Sequence, residues 1–315
     1  MLKSVLFGCK FGKTVHYPII KKKFQLIGII NKKKKLSNNE VNNLINLANA
    51  IIIATPPKVQ KKIFIKSYNK KKHIFFEKPL GFFPNKKIKL NKNQALMTSY
   101  IFPEIDVWKK LKNLINKDYF GKISHVQINW LFKSYINKLK TKSWKSNTQQ
   151  KGGILNNFGP HVFHYVEFFF GKIKSIKAYT SDNNKNNINI YIELKNKISV
   201  TISLNSLYEN EPTHSIKIYG DKYNSILSNS KNNITNNFKL LVFNNSKIIN
   251  SFKSKLKKST QDERIKPMES LYKKFIIWIK YKKIQKPNFN DAYRTEFLIR
   301  ETVKSLKLKK KISIN

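Results

Sequence analysis

The chain has 315 residues, enough for about two domains, and its hydrophobic fraction of 40% supplies full cores and excludes global disorder. The formal charge of +46 is almost all lysine, since Arg264, Arg294 and Arg300 are the only arginines. Proteins that read phosphates and base edges favour arginine's bidentate fork. The charge is therefore read as A/T-rich coding bias spread over solvated faces, with loose polyanion binding at low salt and no specific nucleic-acid partner.

Cys9 is the only cysteine, which excludes an intrachain disulfide and fits a reducing, cytoplasmic compartment. Leu2–Phe7 is too short for the apolar core of a signal peptide. No apolar run approaches the ~20 residues of a membrane helix.

In chain order, Ser4–Phe7 is a short apolar strand ending at Gly8, and Phe11–Lys22 is expected to be helical with Pro18 as an interruption. Phe24–Ile30 reads as a second buried strand. Ser37, with Glu40 three residues on, is a capping box leading into Val41, Leu44 and Ile45 at helical spacing. Ala50–Ala54 is a continuous apolar strand stopped by Thr55-Pro56-Pro57; Val59–Tyr68 is a helix; Ile74–Phe76 is another strand, ending at Glu77-Lys78-Pro79. Apolar strands alternating with helices predict a parallel sheet covered on both faces. The span between the second strand and Ala50 is too short for helix, strand and helix, so one strand of the sheet is expected to be missing.

After Ser99 the rhythm changes. Ile105–Ile115 is an amphipathic helix, and alternating strands follow at Ile123–Phe132, Ile173–Thr180, Ile188–Leu194, Ile198–Leu204 and Ile216–Gly220. Ser228–Asn237 and Ser251–Thr260 read as loops, and helices over Met268–Tyr281 and Asp291–Leu308 close the chain. The expected class is α/β: a shortened Rossmann-type parallel sheet in residues 1–98, and an α+β domain with a large open, mainly antiparallel sheet in residues 99–315.

Four stretches carry chemistry. Gly8-Cys9-Lys10-Phe11-Gly12 looks like a G-x-G-x-x-G phosphate turn with its central glycine deleted, between a strand and a helix; a plain strand–turn–helix fits it as well. After the second strand stand Asn31 and Lys32 with no carboxylate to hold an NAD ribose. They can instead accept the 2′-phosphate of NADP, or simply form a solvated lysine run. Glu77-Lys78-Pro79 lies at the carboxyl edge of the sheet, where Lys78 can polarise an oxygen and the X-Pro bond is a candidate for cis.

The fourth stretch, KGGILNNFGPHVFHYVEFFFG from Lys151 to Gly171, holds four of the ten glycines and two of the six histidines. His161 and His164 share a helix face. No third ligand cluster accompanies them, so a metal site is not expected, and the ordinary reading of each is a structural histidine.

Glu77-Lys78-Pro79-Leu80-Gly81 followed by Gly152-Gly153-Ile154-Leu155-Asn156-Asn157-Phe158-Gly159-Pro160-His161 resembles the Gfo/Idh/MocA family of NAD(P)-dependent oxidoreductases. Ala54-Thr55-Pro56-Pro57, Gly121-Lys122-Ile123, Asp262-Glu263-Arg264-Ile265 and Pro287-Asn288-Phe289-Asn290-Asp291 support it in the right order. The resemblance implies hydride transfer between a nicotinamide cofactor, NADP favoured over NAD, and a hydroxyl or keto carbon of a sugar-like or nucleotide-linked molecule. It places the family's lysine on Lys78 and its histidine on His161, and it puts Asn157 where the family has an aspartate and His164 where a further aspartate often touches substrate. Gly8, Cys9, Lys10, Phe11, Gly12, Asn31, Lys32, Thr55, Pro56, Glu77 and Lys78 would line the cofactor. Tyr100 and Trp144, with His164, would meet substrate; Phe102, Trp130 and Tyr165 are weighed for the same role against a place in the core. His161 would exchange the alcohol proton, since an imidazole with a pKa of ~6.5 titrates near cell pH. Lys78 would stabilise alkoxide charge, and Asn157 would tune position and not charge. Homo-oligomers through the C-terminal sheet are implied too. The altered turn, the missing strand and Asn157 leave a second reading open, that of a non-catalytic, ligand- or partner-binding member.

Overall fold

The structure is a computed structural model, described here for residues 1–31, 36–83, 88–133, 144–146, 152–182, 185–231, 233, 235–254 and 261–314. The chain packs as two compact units: residues 1–101 with 259–296, and residues 102–258 with 297–315. The sequence reading drew a single boundary between 98 and 99. Packing instead returns the segment 259–296 to the first unit, because its apolar face (Met268, Leu271, Tyr272, Phe275) joins the same buried cluster as Leu6, Ile52 and Phe75.

In the first unit five parallel strands, β1 (Lys3–Gly8), β2 (Gln25–Ile30), β3 (Ala50–Ala54), β4 (His73–Phe76) and β5 (Leu96–Thr98), lie in the order β2-β1-β3-β4-β5. The strand β5 was not read from the sequence; its three residues are all buried. The chain leaves β2 through α2 (Asn38–Leu47) and returns on the other side of β1, so β2 is an edge and the expected extra strand is absent among the described residues. This order reverses direction between β1 and β3, the switch point at which ligands of open α/β sheets bind. The β3 run Ile51, Ile52, Ile53 is wholly buried because both faces are covered.

Pro18 does not interrupt the first helical segment. A π-helical turn at Gly12–His16 runs straight into α1 (Tyr17–Lys23), and Pro18, at the second position of α1, is carried inside this continuous helical segment where the π turn gives way to the α-helix. The capping box at Ser37 and Glu40 is formed in full. The helix α3 (Pro57–Asn69) follows β3 directly.

The second unit is built on a nine-stranded sheet ordered β13-β12-β11-β10-β6-β9-β8-β7-β14. Its strands are β6 (Ile123–Leu131), β7 (Ile173–Tyr179), β8 (Asn187–Leu194), β9 (Ser199–Asn205), β10 (Thr213–Gly220), β11 (Asn224–Asn229), β12 (Lys239–Asn244), β13 (Lys247–Lys253) and β14 (Ile312–Ser313). All pairs are antiparallel except β6 with β9. Ser251–Lys253, read as the start of a loop, is the end of β13. The period-two burial of β8 and β9 shows one face on the core and one open. The helices α4 (Asp106–Asn116) and α5 (Ile154–Phe170) cover the core face with Trp108, Leu111, Val162 and Phe163. Each such buried side chain contributes roughly 1.5–3 kcal/mol.

Candidate active site

In the first unit three adjacent strands end at the residues of interest: β1 at Gly8, β3 before Thr55, and β4 before Glu77-Lys78. Gly8 has φ +146°, and a Cβ there would lie 2.5 Å from the Ala54 carbonyl oxygen, so only glycine lets the strand ends close up. The turn that follows exposes Cys9 and holds Lys10 at φ 24°, a conformation that favours glycine. The missing glycine of the fingerprint is thus paid for in backbone strain at Lys10. Phe11 is clamped between the Arg264 guanidinium, 4.6 Å from its centroid, and the edge-on ring of His16 at 5.4 Å.

Sequence reasoning missed three residues that hold this edge. His16, fully buried, meets Tyr272 Oη through Nδ1 at 2.8 Å and Glu77 Oε1 through Nε2 at 2.9 Å. Tyr272 stacks on Phe75 at 4.5 Å, and burial, with the Glu77 charge, raises its pKa well above the ordinary tyrosine value. The glutamate beside Lys78 is therefore tied to the helical segment that follows the Gly8–Gly12 turn. The third residue is Gln60 on α3, 1% exposed. Its Oε1 accepts from Gly81 N–H at 2.6 Å, and its Nε2 donates to the carbonyls of Glu77 and, at 3.3 Å, Pro79. A glutamine on the buried face of α3, in line with Phe64 and Ser67, was the available signal for Gln60. Lys78 N–H meets Ser99 Oγ at 3.4 Å, and the Lys78–Pro79 bond is cis, as its position suggested.

The fit of a dinucleotide is tested by two features of this edge. Thr55 Oγ1 is buried with no hydrogen-bond partner among the described residues, and Gly8 and Gly12 pack directly on Ala54 and Leu6, holding the turn tight against the strand ends. The first suits a ligand that accepts a hydrogen bond; the second brings the backbone of the turn close to it. Asn31 is half-buried at the end of β2, while Lys32 lies outside the described residues. Pro56 stands at the N-terminus of α3 and its carbonyl accepts from Gln60 N–H at 2.9 Å. Tyr100 is 1% exposed, with its hydroxyl 2.6 Å from Thr295 Oγ1; the structure places it in the core of the first unit.

In the second unit α5 carries Asn157, His161 and His164, all within 9% exposure. The helix begins at Gly153, whose φ of +87° turns the chain into it. The ring of His161 stands edge-on to Phe102 at 5.0 Å and tilts against Trp130 at 6.2 Å, whereas His164 stacks on Phe168. The two histidines thus face different neighbours. Trp130 stacks at 4.1 Å on His214, a residue the sequence did not single out; burial pushes the pKa of His214 down to about 3. Phe102, Trp130 and Tyr165 belong to this core. Trp144 is half-buried in a short turn, and Asn157 reaches the carbonyl of its neighbour Lys145. No cluster able to hold a metal ion occurs among the described residues.

A parallel sheet with a switch point between β1 and β3, together with a separate unit on a large open sheet, defines a two-unit α/β protein. Residues 108–224 match the GFO/IDH/MocA C-terminal domain. An uncharacterized oxidoreductase of Synechocystis is 23% identical over 266 residues, 72% of either chain. Glucose-6-phosphate 3-dehydrogenase of Bacillus subtilis is 24% identical over 187 residues, 53% of either chain. Among solved structures, levoglucosan dehydrogenase in complex with NADH superimposes with a TM-score of 0.80 at 13% identity, covering 100% of this chain and 99% of that one. The WlbA dehydrogenase of Bordetella pertussis, in complex with NADH and UDP-GlcNAcA, gives 0.75 at 14% identity over 100% and 98%. Residues 108–224 are thus similar to the C-terminal domain of the Gfo/Idh/MocA family, and the whole chain shares the fold of these dehydrogenase structures.

Proposed function

We propose that the protein is a nicotinamide-dependent dehydrogenase or reductase acting on the hydroxyl or keto carbon of a sugar-like or nucleotide-linked molecule. The observation that carries this reading is the meeting of Gly8, Thr55 and Glu77-Lys78 at the carboxyl ends of three adjacent parallel strands. Relatives named as sugar dehydrogenases, and neighbours solved with NADH, support it. The bound nicotinamide would give or take the hydride. The residues of the first unit named above would hold the cofactor, with NADP favoured because β2 ends at Asn31 and offers no carboxylate.

Lys78 would stabilise the negative charge that develops on the reacting oxygen. His161 would take the hydroxyl proton in oxidation and return it in reduction. Trp144 and His164 would contact substrate. The open face of the large sheet would join copies of the chain, and the single cysteine suits a reducing cytoplasm. No helix among the described residues is long and apolar enough to cross a membrane.

The test is turnover of a panel of aldoses, anhydrosugars and nucleotide sugars with NADP and NAD. Cofactor-dependent turnover of at least one is expected; saturable cofactor binding without any turnover would favour the second reading, a ligand-binding member, for which the strained turn at Lys10 speaks.

A further inference from the structure

The family's aspartate position is filled here by Asn157, and the surroundings of that side chain explain why. Its Nδ2 donates to the carbonyl of Gly153 at 2.8 Å and to that of Lys145 at 3.0 Å. The Lys145 carbonyl also accepts from Gly153 N–H at 2.7 Å. Both acceptors are carbonyl oxygens, so the nitrogen of the amide must face them; a carboxylate has no hydrogen to offer either. The side chain is 8% exposed, so water cannot readily replace these bonds.

What the clasp holds is the turn Trp144–Ser146, gripped by its central carbonyl. Asn157 and His161 are four residues apart on α5 and share a face. The turn is thus bonded to a residue one helical turn along the sequence from His161, and its indole is half-buried while Trp108, Trp130 and Trp278 are at most 8% exposed. A partly exposed indole offers a flat apolar face of the kind that the C–H face of a sugar ring covers.

We propose that Asn157 is a positioning residue that seats Trp144 beside His161 and so sets which sugar ring is accepted. This rests on the dehydrogenase reading. Asparagine then stands in place of aspartate because the residue is recruited to hold a wall of the site, and the charge is given up for two donors.

The test compares wild type, Asn157→Asp, Trp144→Ala and the double variant. Acrylamide quenching of tryptophan fluorescence reports Trp144 directly and needs no substrate, because the other three tryptophans are buried. In Asn157→Asp the quenching constant is expected to rise about twofold, and KM for the preferred sugar about tenfold, with kcat changed less than about threefold. The double variant should be no worse than Trp144→Ala alone, since one acts through the other. Trp144→Ala keeps the proposal falsifiable if Asn157→Asp folds poorly: it alone must raise KM by a similar factor. Unchanged quenching in Asn157→Asp, unchanged KM in Trp144→Ala, or additive losses in the double variant would overturn it. If the wild type turns over no sugar, the dehydrogenase reading and the specificity role fail together, while the quenching result still decides the clasp.

Discussion

Replacing Gln60 by leucine removes the hydrogen bonds that Gln60 makes to the Glu77–Gly81 loop while keeping a side chain of similar size. Gly81 N–H then loses its acceptor at 2.6 Å, the Glu77 carbonyl its donor, and the Pro79 carbonyl a longer bond at 3.3 Å. A buried backbone group left unpaired costs ~1–3 kcal/mol. Two strong bonds are lost, at half-buried groups that water partly recovers, so about 2–4 kcal/mol of stability in the first unit should disappear. The loop cannot retreat onto α3, because Gly81 is already so close to Pro57 that a Cβ would lie 1.9 Å from its carbonyl oxygen. The loop should swing outward and carry Lys78 with it, and a shift of ~1 Å in a reacting group costs about a hundredfold in turnover. Urea unfolding and steady-state turnover of Gln60→Leu and Gln60→Glu check this. The glutamate keeps the acceptor for Gly81 and loses the donors, so its effect should fall between wild type and leucine. A leucine variant within ~0.5 kcal/mol of wild type and with full turnover would refute the reasoning.

Lys78→Met should lower kcat by about 10²–10³, and His161→Gln by about 10²–10⁴ with loss of one limb of the pH–rate profile; NADPH affinity by fluorescence should change little in His161→Gln. Lys10→Gly relieves a backbone conformation that costs an L-residue ~1–2 kcal/mol, against an entropy cost of ~0.5–1 kcal/mol for glycine, so urea unfolding should show a gain of up to about 1 kcal/mol. His214 is buried with its pKa pushed down to about 3, against 6.5 when exposed. The unfolded chain alone binds the proton between those values, so stability falls as pH drops below 6.5, by ~2–3 kcal/mol at pH 4.5. Denaturation of His214→Phe across that range should show a flatter slope, beside a pH-independent loss of ~1 kcal/mol for the Tyr165 hydroxyl left unpaired.

The parallel sheet was legible because Ile51–Ile53 and Phe75–Phe76 are apolar on both faces, and the helix at Ser37 because its cap is local chemistry. The strand β5 escaped because three residues carry no period, β12 because Leu240–Phe243 is apolar throughout and shows no alternation, and β13 because its residues are almost all exposed. Glycines and the lysine, histidine and asparagine of the candidate site were visible as motifs. Their supports were not: Gln60, Tyr272 and His16 become meaningful only once remote segments meet, and Tyr100 is as aromatic in the core as it would be in a pocket.

The central claim is that the edge of β1 and β3 binds a nicotinamide dinucleotide. The most direct measurement is an NADPH fluorescence titration at low salt and again at ~0.5 M salt, because a charge of +46 attracts any polyanion and salt screens that attraction. The account predicts saturation at one NADPH per chain that persists in high salt, with NADH binding more weakly. Binding that fails to saturate, or vanishes with the salt, would contradict it.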